Sequence, residues 1–369
     1  MSVRDTTLGR APLTEADPSS VPRHGRTARV FEPVVRLAVL AVALLALVHF
    51  LVRPRDLAHA RALLGSVGWP LALVLLPTLV AMAVDAVGWR FIIRALGHVV
   101  SVRRLLELRL SVEALVLALP GGSLAGEVAK IALLSRRTGV PSARVGASLA
   151  LTKACLFLTD GLYLGVATLW AWAELRGKTG VATWPFALGT GAAALTAVIG
   201  VAMFALLREH TLATRLTTWI SRWAGARVWR WIDARRAGIA EIDEAARDFF
   251  AAGWRARLRC LAPFALEWFV EGAETILILR LLGAPVGLGP LLLLDAAGSF
   301  LRAAIFVVPA GLGVQDAAMI LLLRAFGVGD AVALGAAYVV IKRIKEVCWI
   351  GAGTSFLAVR RDLWRRGNR

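Results

Sequence analysis

Long apolar runs recur along most of this 369-residue chain. Val34 to Val52 is one of them, and several later runs reach about 20 residues, the length that a helix needs to cross a bilayer. The runs occupy residues 34–52, 69–95, 105–119, 123–135, 145–172, 183–207, 260–282, 288–308, 311–326 and 331–357. Backbone polar groups inside a bilayer must be satisfied within the protein, so the pattern predicts an all-α, polytopic integral membrane protein.

The chain carries a formal net charge of +18, which in a soluble protein would point to nucleic acid. Its basic residues lie between the apolar runs, so they indicate membrane topology, and no nucleic-acid-binding signature accompanies them. Neither the three cysteines nor the five histidines have metal-ligand spacing. Since no nucleophile-and-base arrangement stands out either, we predict no enzyme activity, no metal and no cofactor.

The distribution of arginine predicts which loops face the cytoplasm. Residues 208–259 hold eleven Arg and six acidic residues, and residues 360–369 hold five Arg and one Asp. Both segments are expected on the cytoplasmic side, as is the N-terminus, whereas the charge-poor loops 173–182 and 283–287 are expected outside. The predicted outer loop 53–68 runs against this scheme, because it contains Arg53, Arg55 and Arg61.

These signals divide the chain into consecutive segments. They are a disordered cytoplasmic tail (1–33), a first membrane repeat (34–172), a second membrane repeat (183–357) with a cytoplasmic amphipathic insert (208–259), and a basic cytoplasmic tail (358–369). The insert interleaves Trp219, Trp223, Trp229 and Trp231 with arginines. Two interpretations of the insert stay open: a helix lying on an anionic membrane surface, or a helical hairpin that connects the two repeats.

Helix-breaking residues interrupt two of the apolar regions. Pro120-Gly121-Gly122 joins the short runs 105–119 and 123–135, and Pro309-Ala310-Gly311 joins 288–308 and 311–326. Unwound backbone at membrane depth is tolerated only where it is buried in protein or lines a wet cavity. Each pair is therefore predicted to form a broken or re-entrant helical hairpin.

The two hairpins are expected to belong to an inverted-topology repeat. At an offset of 189 residues, Pro120 meets Pro309, Glu127 meets Asp316, and Lys153 meets Lys342. The charge pattern places the first hairpin entrance on the cytoplasmic side and the second on the outer side. Agreement of a proline, an acid and a lysine at one offset, with opposed topology, favours inverted repeats.

Charged residues within the apolar runs share helical faces, and they are too numerous to face lipid. Six of them are predicted to line a polar path or to couple transport to a cation: Asp85, Asp160, Glu267, Glu271, Glu274 and Asp295. Others are equally consistent with structural ion pairs, for which Arg109–Glu113 and Lys342–Glu346 have the spacing.

Two stretches carry a resemblance to a known family. "LPGGSLAGEVAKIALL" followed by "ASLALTK", and "VPAGLGVQDAAMILLL" followed by "AAYVVIKRIKEV", resemble the flippase-like transmembrane family that includes the membrane domain of lysylphosphatidylglycerol synthases. The second stretch is most similar to the hopanoid-biosynthesis-associated branch. The resemblance covers about residues 34–360 and implies an inner-membrane protein that moves lipids or lipid-linked groups. Asp316 departs from the glutamate usual in the second motif, and Lys153 stands where many relatives have arginine.

The leading hypothesis is a lipid transporter that holds an anionic or polar headgroup between the inverted repeats. Free N–H groups at helix starts near Ser123 and Leu312 favour an anion, and Glu127 and Asp316 are expected in those first turns, where each could alternatively cap its helix. The predicted substrate-binding residues are Gly122, Ser123, Gly126, Glu127, Lys153, Gly311, Gly313, Gln315, Asp316, Lys342 and Arg302.

Three alternatives remain open at this stage. The chain could transport a small soluble anion through a closed vestibule, or act as a non-catalytic partner of lipid-synthesis enzymes. A membrane enzyme acting on a lipid-linked substrate ranks last. No segment after residue 357 resembles a soluble aminoacyl-transferase domain, so we do not expect the chain to aminoacylate lipid.

Overall fold

The computed structural model describes residues 62–118, 122–209, 217–219, 236–304 and 314–359, and those residues form helices without any strand. The all-α prediction is therefore confirmed. The predicted tail 1–33, the first apolar run, most of the Trp- and Arg-rich stretch, and residues 360–369 lie outside the described part of the chain.

Ten helices of the described residues are used below. They are α1 (Leu75–Ala95), α2 (Val102–Ala118), α3 (Gly122–Thr138), α4 (Ser142–Leu175), α5 (Trp184–Arg208), α6 (Arg236–Ala251), α7 (Trp254–Leu281), α8 (Leu288–Ala304), α9 (Val314–Ala325) and α10 (Ala331–Val359). A 3-10 segment, Trp69–Val74, leads directly into α1. Each predicted apolar run within the described residues lies on one of these helices.

Three described segments are long and apolar enough to cross a membrane: Trp69–Ala95, α4 and α5. Helices α2, α3 and α8 each have 17 residues. That is about 25 Å of helix, short of the ~30 Å hydrocarbon core. Helix α7 is also long enough to cross a membrane, but it carries two buried carboxylates, Glu267 and Glu274, on the face turned into the protein.

Helices α1 and α7 pack antiparallel along their length. Thr78 on α1 donates to Glu274 on α7, whereas Gly88, further along α1, lies against Phe264, nearer the start of α7. A Cβ atom on Gly88 would lie 2.7 Å from the Phe264 ring, so this close approach requires glycine. The same seam places Asp85 and Glu267 at similar depth, near the middle of α1.

Helix α4 is the central helix of the fold, since it contacts α5, α7 and α8. Its contact with α5 relies on small residues, as is usual between membrane helices. Gly161 and Gly200 lie where the two backbones approach, and a Cβ atom on Gly200 would lie 2.6 Å from the backbone nitrogen of Leu158.

The described helix of the insert, α6, packs onto α4 and α5. Its apolar residues Ala245, Ala246 and Phe249 are buried, and Arg144 of α4 forms an ion pair with Asp248 at 3.3 Å. This part of the insert therefore has its apolar face covered by protein, as the connector interpretation expects.

Helices of the two predicted halves pack against each other. Helix α2 packs against α10, and α8 packs against α4. Gly353 of α10 lies against the Leu110 carbonyl, and Gly289 of α8 lies against the backbone of Ala171. The shared surfaces bring the charged faces of α2, α7, α8 and α10 together in the interior.

Candidate functional site

The first polar group, called here the Glu127 cluster, consists of Glu127 and Lys130 on α3 and Lys153 on α4. The Lys153 amine lies 2.8 Å from Glu127 Oε1, and the Lys130 amine lies 3.3 Å from the same oxygen. Lys130 is buried, whereas 42% of the Lys153 side chain is exposed. The Glu127 carboxylate therefore pairs with two lysine ammonium groups, and one of the two lysines, Lys153, is partly exposed.

This geometry corrects one expectation about Glu127. Helix α3 begins at Gly122, close to the predicted start, but it has no acidic residue in its first turn. Glu127 lies one turn later and neutralises lysines, so it does not cap the helix. Gly126 is buried against Val112 and Val116 of α2, and it lets the two arms of the hairpin pack closely.

A second group, the Arg109 cluster, lies deeper in the fold. Arg109 on α2 contacts Asp85 at 3.3 Å and Glu113 at 2.6 Å, which confirms the predicted Arg109–Glu113 pair and adds Asp85 to it. Glu267 and Glu271 of α7 also lie within electrostatic range of the guanidinium. Among the described residues, Glu267 Oε2 is buried with no hydrogen-bond partner. The cluster therefore gathers several carboxylates around one guanidinium, and within the described part of the chain Glu267 Oε2 and Arg109 Nε are both left without a hydrogen-bond partner.

A third group surrounds Glu274 on α7. Its carboxylate accepts a hydrogen bond from Lys345 of α10 at 2.6 Å and another from Thr78 of α1 at 2.5 Å. All three side chains come from different helices, and Glu274 is only 5% exposed. This ion pair therefore connects the two predicted halves inside the protein.

The fourth group is a hydrogen-bonded network around Asp295 on α8, called here the tyrosine network. Asp295 accepts from Tyr163 at 3.1 Å and from Thr275 at 2.7 Å. Tyr338 lies 3.0 Å from the Thr275 hydroxyl and accepts from Lys342 at 3.1 Å. The carboxylate is thereby linked to a buried lysine through hydroxyl groups alone.

A small polar cavity of about 80 Å³ is lined by members of the second, third and fourth groups, but by none of the Glu127 cluster. Its polar lining comes from Thr78, Glu113, Glu271, Glu274, Asp295, Ser299, Lys342, Lys345, Glu346 and Trp349. The lining belongs to five helices of both halves, and the cavity is large enough for a few water molecules. The predicted acidic face of α7 does point inward, since Glu267 and Glu274 are buried and Glu271 lines the cavity.

Gly311 and Gly313 lie outside the described residues, and the side chains of Ser123, Arg302, Gln315 and Asp316 are not described. The predicted symmetric partnership of the Glu127 and Asp316 side chains therefore stays a prediction. Asp160 is described, and it is buried on α4 in electrostatic range of Tyr163.

Sequence reasoning missed Lys130, Lys345 and both tyrosines. A signal for the tyrosines existed, because the chain has only two, Tyr163 and Tyr338, and both lie within apolar runs. A buried phenol requires a hydrogen-bond partner, so two such residues mark a polar interior. No comparable pattern distinguishes Lys345 from its basic neighbours. Among the described residues, no group of three or more His, Cys, Asp or Glu could hold a metal ion.

Helices of membrane-spanning length, packed around buried ion pairs and a polar cavity, define this chain as a polytopic membrane protein. The chain belongs to the lysylphosphatidylglycerol synthase TM region family, which matches residues 34–341. Membership identifies a membrane protein of lipid metabolism or transport that interacts with membrane lipids. No curated protein and no solved structure matches the chain.

Proposed function

We propose that this protein moves a lipid, or a lipid-linked group with an anionic or polar headgroup, across the bacterial inner membrane. One observation carries the proposal: a polar cavity, lined by charges from both halves, lies in the interior of a helical membrane protein. A single charge at the bilayer centre costs about 2.5–3.5 kcal/mol on insertion scales, so buried charges at this depth mark a functional path by default. Family membership in lipid metabolism or transport supports the same conclusion.

The packing of the helices supports movement of one half against the other. Helix α2 packs on α10 in the way that α8 packs on α4, and α1 pairs with α7. These are the reciprocal contacts expected if α1–α4 and α7–α10 are inverted repeats. In such folds, rocking of the repeats exposes a midplane site alternately to each side.

On this proposal, the small cavity volume corresponds to a closed conformation. About 80 Å³ accommodates water but no phospholipid headgroup. Passage of a headgroup therefore requires α7 and α10 to separate and the Glu274–Lys345 pair to open. Lys153 and Lys342 would attract the headgroup, and the carboxylates of the Arg109 cluster would carry a coupling proton or cation.

Three finer points belong to the same proposal. The protein acts without a chemical step, because the buried groups form ion pairs and hydrogen-bond chains in place of a nucleophile and base. It belongs to the hopanoid-associated branch of the family, as the "VPAGLGVQD" stretch indicates. Both termini lie in the cytoplasm, because α1, α3 and α5 end in arginines, and α7 begins among them.

Leaflet exchange in proteoliposomes tests the function. The purified protein is reconstituted with tail-labelled anionic, zwitterionic and polyprenyl-linked lipids, with and without a proton gradient. Wild type is compared with Glu127→Gln, which leaves two lysines without their carboxylate, and with Glu274→Gln, which removes the charge from the inter-half pair. We expect protein-dependent exchange of at least one lipid class and a marked fall in both variants.

Glu244→Gln is the matched control, because Glu244 is a largely exposed carboxylate on α6, 3.8 Å from Arg144. It should exchange lipid as wild type does. Absence of exchange for every lipid class under all conditions would refute the proposal and favour a soluble anion or a non-catalytic partnership with lipid-synthesis enzymes. Uptake of small anions into the same vesicles would then distinguish an anion transporter from a non-catalytic partner.

A further inference from the structure

A second pocket lies on the outer face of the α1–α7 seam. It is an apolar groove of about 560 Å³, within the range of small-molecule sites. Its lining consists of Val80, Ala83, Val84, Val87, Phe91, Arg259, Ala262, Pro263 and Leu266. Val80 and Leu266 are exposed at 40% and 53%, so the groove opens away from the polar interior.

The groove is apolar along most of its length and positively charged at one end, so it matches an amphiphilic molecule. Val80, Val84, Val87 and Phe91 form one stripe of α1, and its length is about 17 Å, close to one leaflet of the hydrocarbon core. The lining residue Arg259 is exposed near the start of α7. Since α1 and α7 are antiparallel, the exposed Arg94, one turn beyond Phe91, ends the α1 stripe at the same level.

Among the described residues, no acidic side chain lines the groove beside Arg259. Pro263 lies on the same wall, and since proline has no N–H, the Arg259 carbonyl lacks its usual helical donor. One end of the groove therefore offers a guanidinium and a backbone acceptor, and the rest offers only hydrocarbon. Because α1 lies in a segment long and apolar enough to cross a membrane, we expect bilayer lipids at this face.

We propose that the α1–α7 groove is a binding site for an anionic phospholipid of the surrounding bilayer, with an acyl chain along the α1 stripe and the phosphate at Arg259. The site is separate from the interior cavity and does not require that the protein transports lipid. Charge complementarity selects the anionic class, because a guanidinium pairs with phosphate through two parallel hydrogen bonds.

Photo-crosslinking in proteoliposomes tests the site. The probes are phosphatidylglycerol and phosphatidylcholine with a diazirine in the acyl chain, and crosslinked peptides are mapped by mass spectrometry. We expect phosphatidylglycerol to label residues 80–91 and 259–266 more strongly than phosphatidylcholine does. Arg259→Gln should lower the phosphatidylglycerol label there about fivefold, the effect of one basic residue at a membrane surface.

Arg208→Gln is the matched control, because Arg208 is an exposed arginine at the end of α5, a helix that does not line the groove. It should leave the labelling unchanged. Ala262→Phe, which fills the groove from an exposed position, should lower labelling by both probes. Labelling spread equally over the exposed face of α5, equal labelling by the two lipids, or insensitivity to Arg259→Gln would each overturn the proposal, whatever the outcome for leaflet exchange.

Discussion

Several charged residues of the described part of the chain form ion pairs across helices. Glu127 holds Lys153 from the next helix, and Glu274 holds Lys345 from the far end of the chain. Such pairs are costly to desolvate, and they are stable only when both partners are present. Removing one partner of a buried pair should therefore destabilise the fold strongly, whereas removing both should destabilise it much less.

Lys345→Met should lower the free energy of unfolding by about 3–5 kcal/mol, because it leaves Glu274 buried without its cation. The double variant Glu274→Gln/Lys345→Met should recover much of that loss, since neither charge then remains. The measurement is detergent-induced unfolding of the purified protein.

Arg103→Gln serves as the comparison for that series. Arg103 pairs with Glu107 at 3.1 Å, but its side chain is 86% exposed, so the change should cost about 0–1 kcal/mol. A Lys345→Met variant as stable as Arg103→Gln would show that the Glu274 pair contributes nothing to the fold.

At the scale of helices, glycine decides how closely α4 approaches its neighbours. Gly200 meets the backbone of Leu158, and Gly289 of α8 meets the backbone of Ala171. Lipid gives helices no hydrophobic drive to associate, so close packing of small residues supplies much of the association energy. The position of α4, and with it Lys153 and Tyr163, depends on these contacts.

Gly200→Ala should lower the thermal unfolding midpoint in detergent, because the new Cβ atom would lie 2.6 Å from one backbone atom of Leu158 and 2.8 Å from another. Gly191→Ala on the same helix meets nothing within 4 Å and should be neutral or slightly stabilising. If the two variants had equal midpoints, close α4–α5 packing would not support the fold.

At the scale of the whole molecule, arginine is unevenly distributed between the two ends of the bundle, even though α7 and α9 carry Arg280 and Arg324 in their last turns. The loops after α4 and after α9 lie together, since Ala182 donates to the Ala325 carbonyl. The opposite ends of the bundle collect the arginines of α1, α3 and α5. Arginine-rich ends are retained in the cytoplasm, so the whole molecule has a predicted orientation.

Lys178→Cys and Gly329→Cys should therefore react with a membrane-impermeant maleimide in intact cells, whereas His98→Cys should react only after permeabilisation. The background carries Cys348→Ser, because Cys348 is exposed, unlike the buried Cys155 and Cys260. Labelling of His98→Cys in intact cells would reverse the orientation, and labelling of Lys178→Cys and Gly329→Cys from opposite sides would contradict the fold.

The sequence by itself determined which segments form helices, because an apolar segment inside a bilayer must satisfy its backbone hydrogen bonds internally. It also identified the inward acidic face of α7, since Glu267, Glu271 and Glu274 recur at helical spacing. Only the tertiary structure decided the partners. Lys345 and Tyr338 join the site through contacts with α7, a helix distant in sequence, and helical periodicity carries no information about which faces meet.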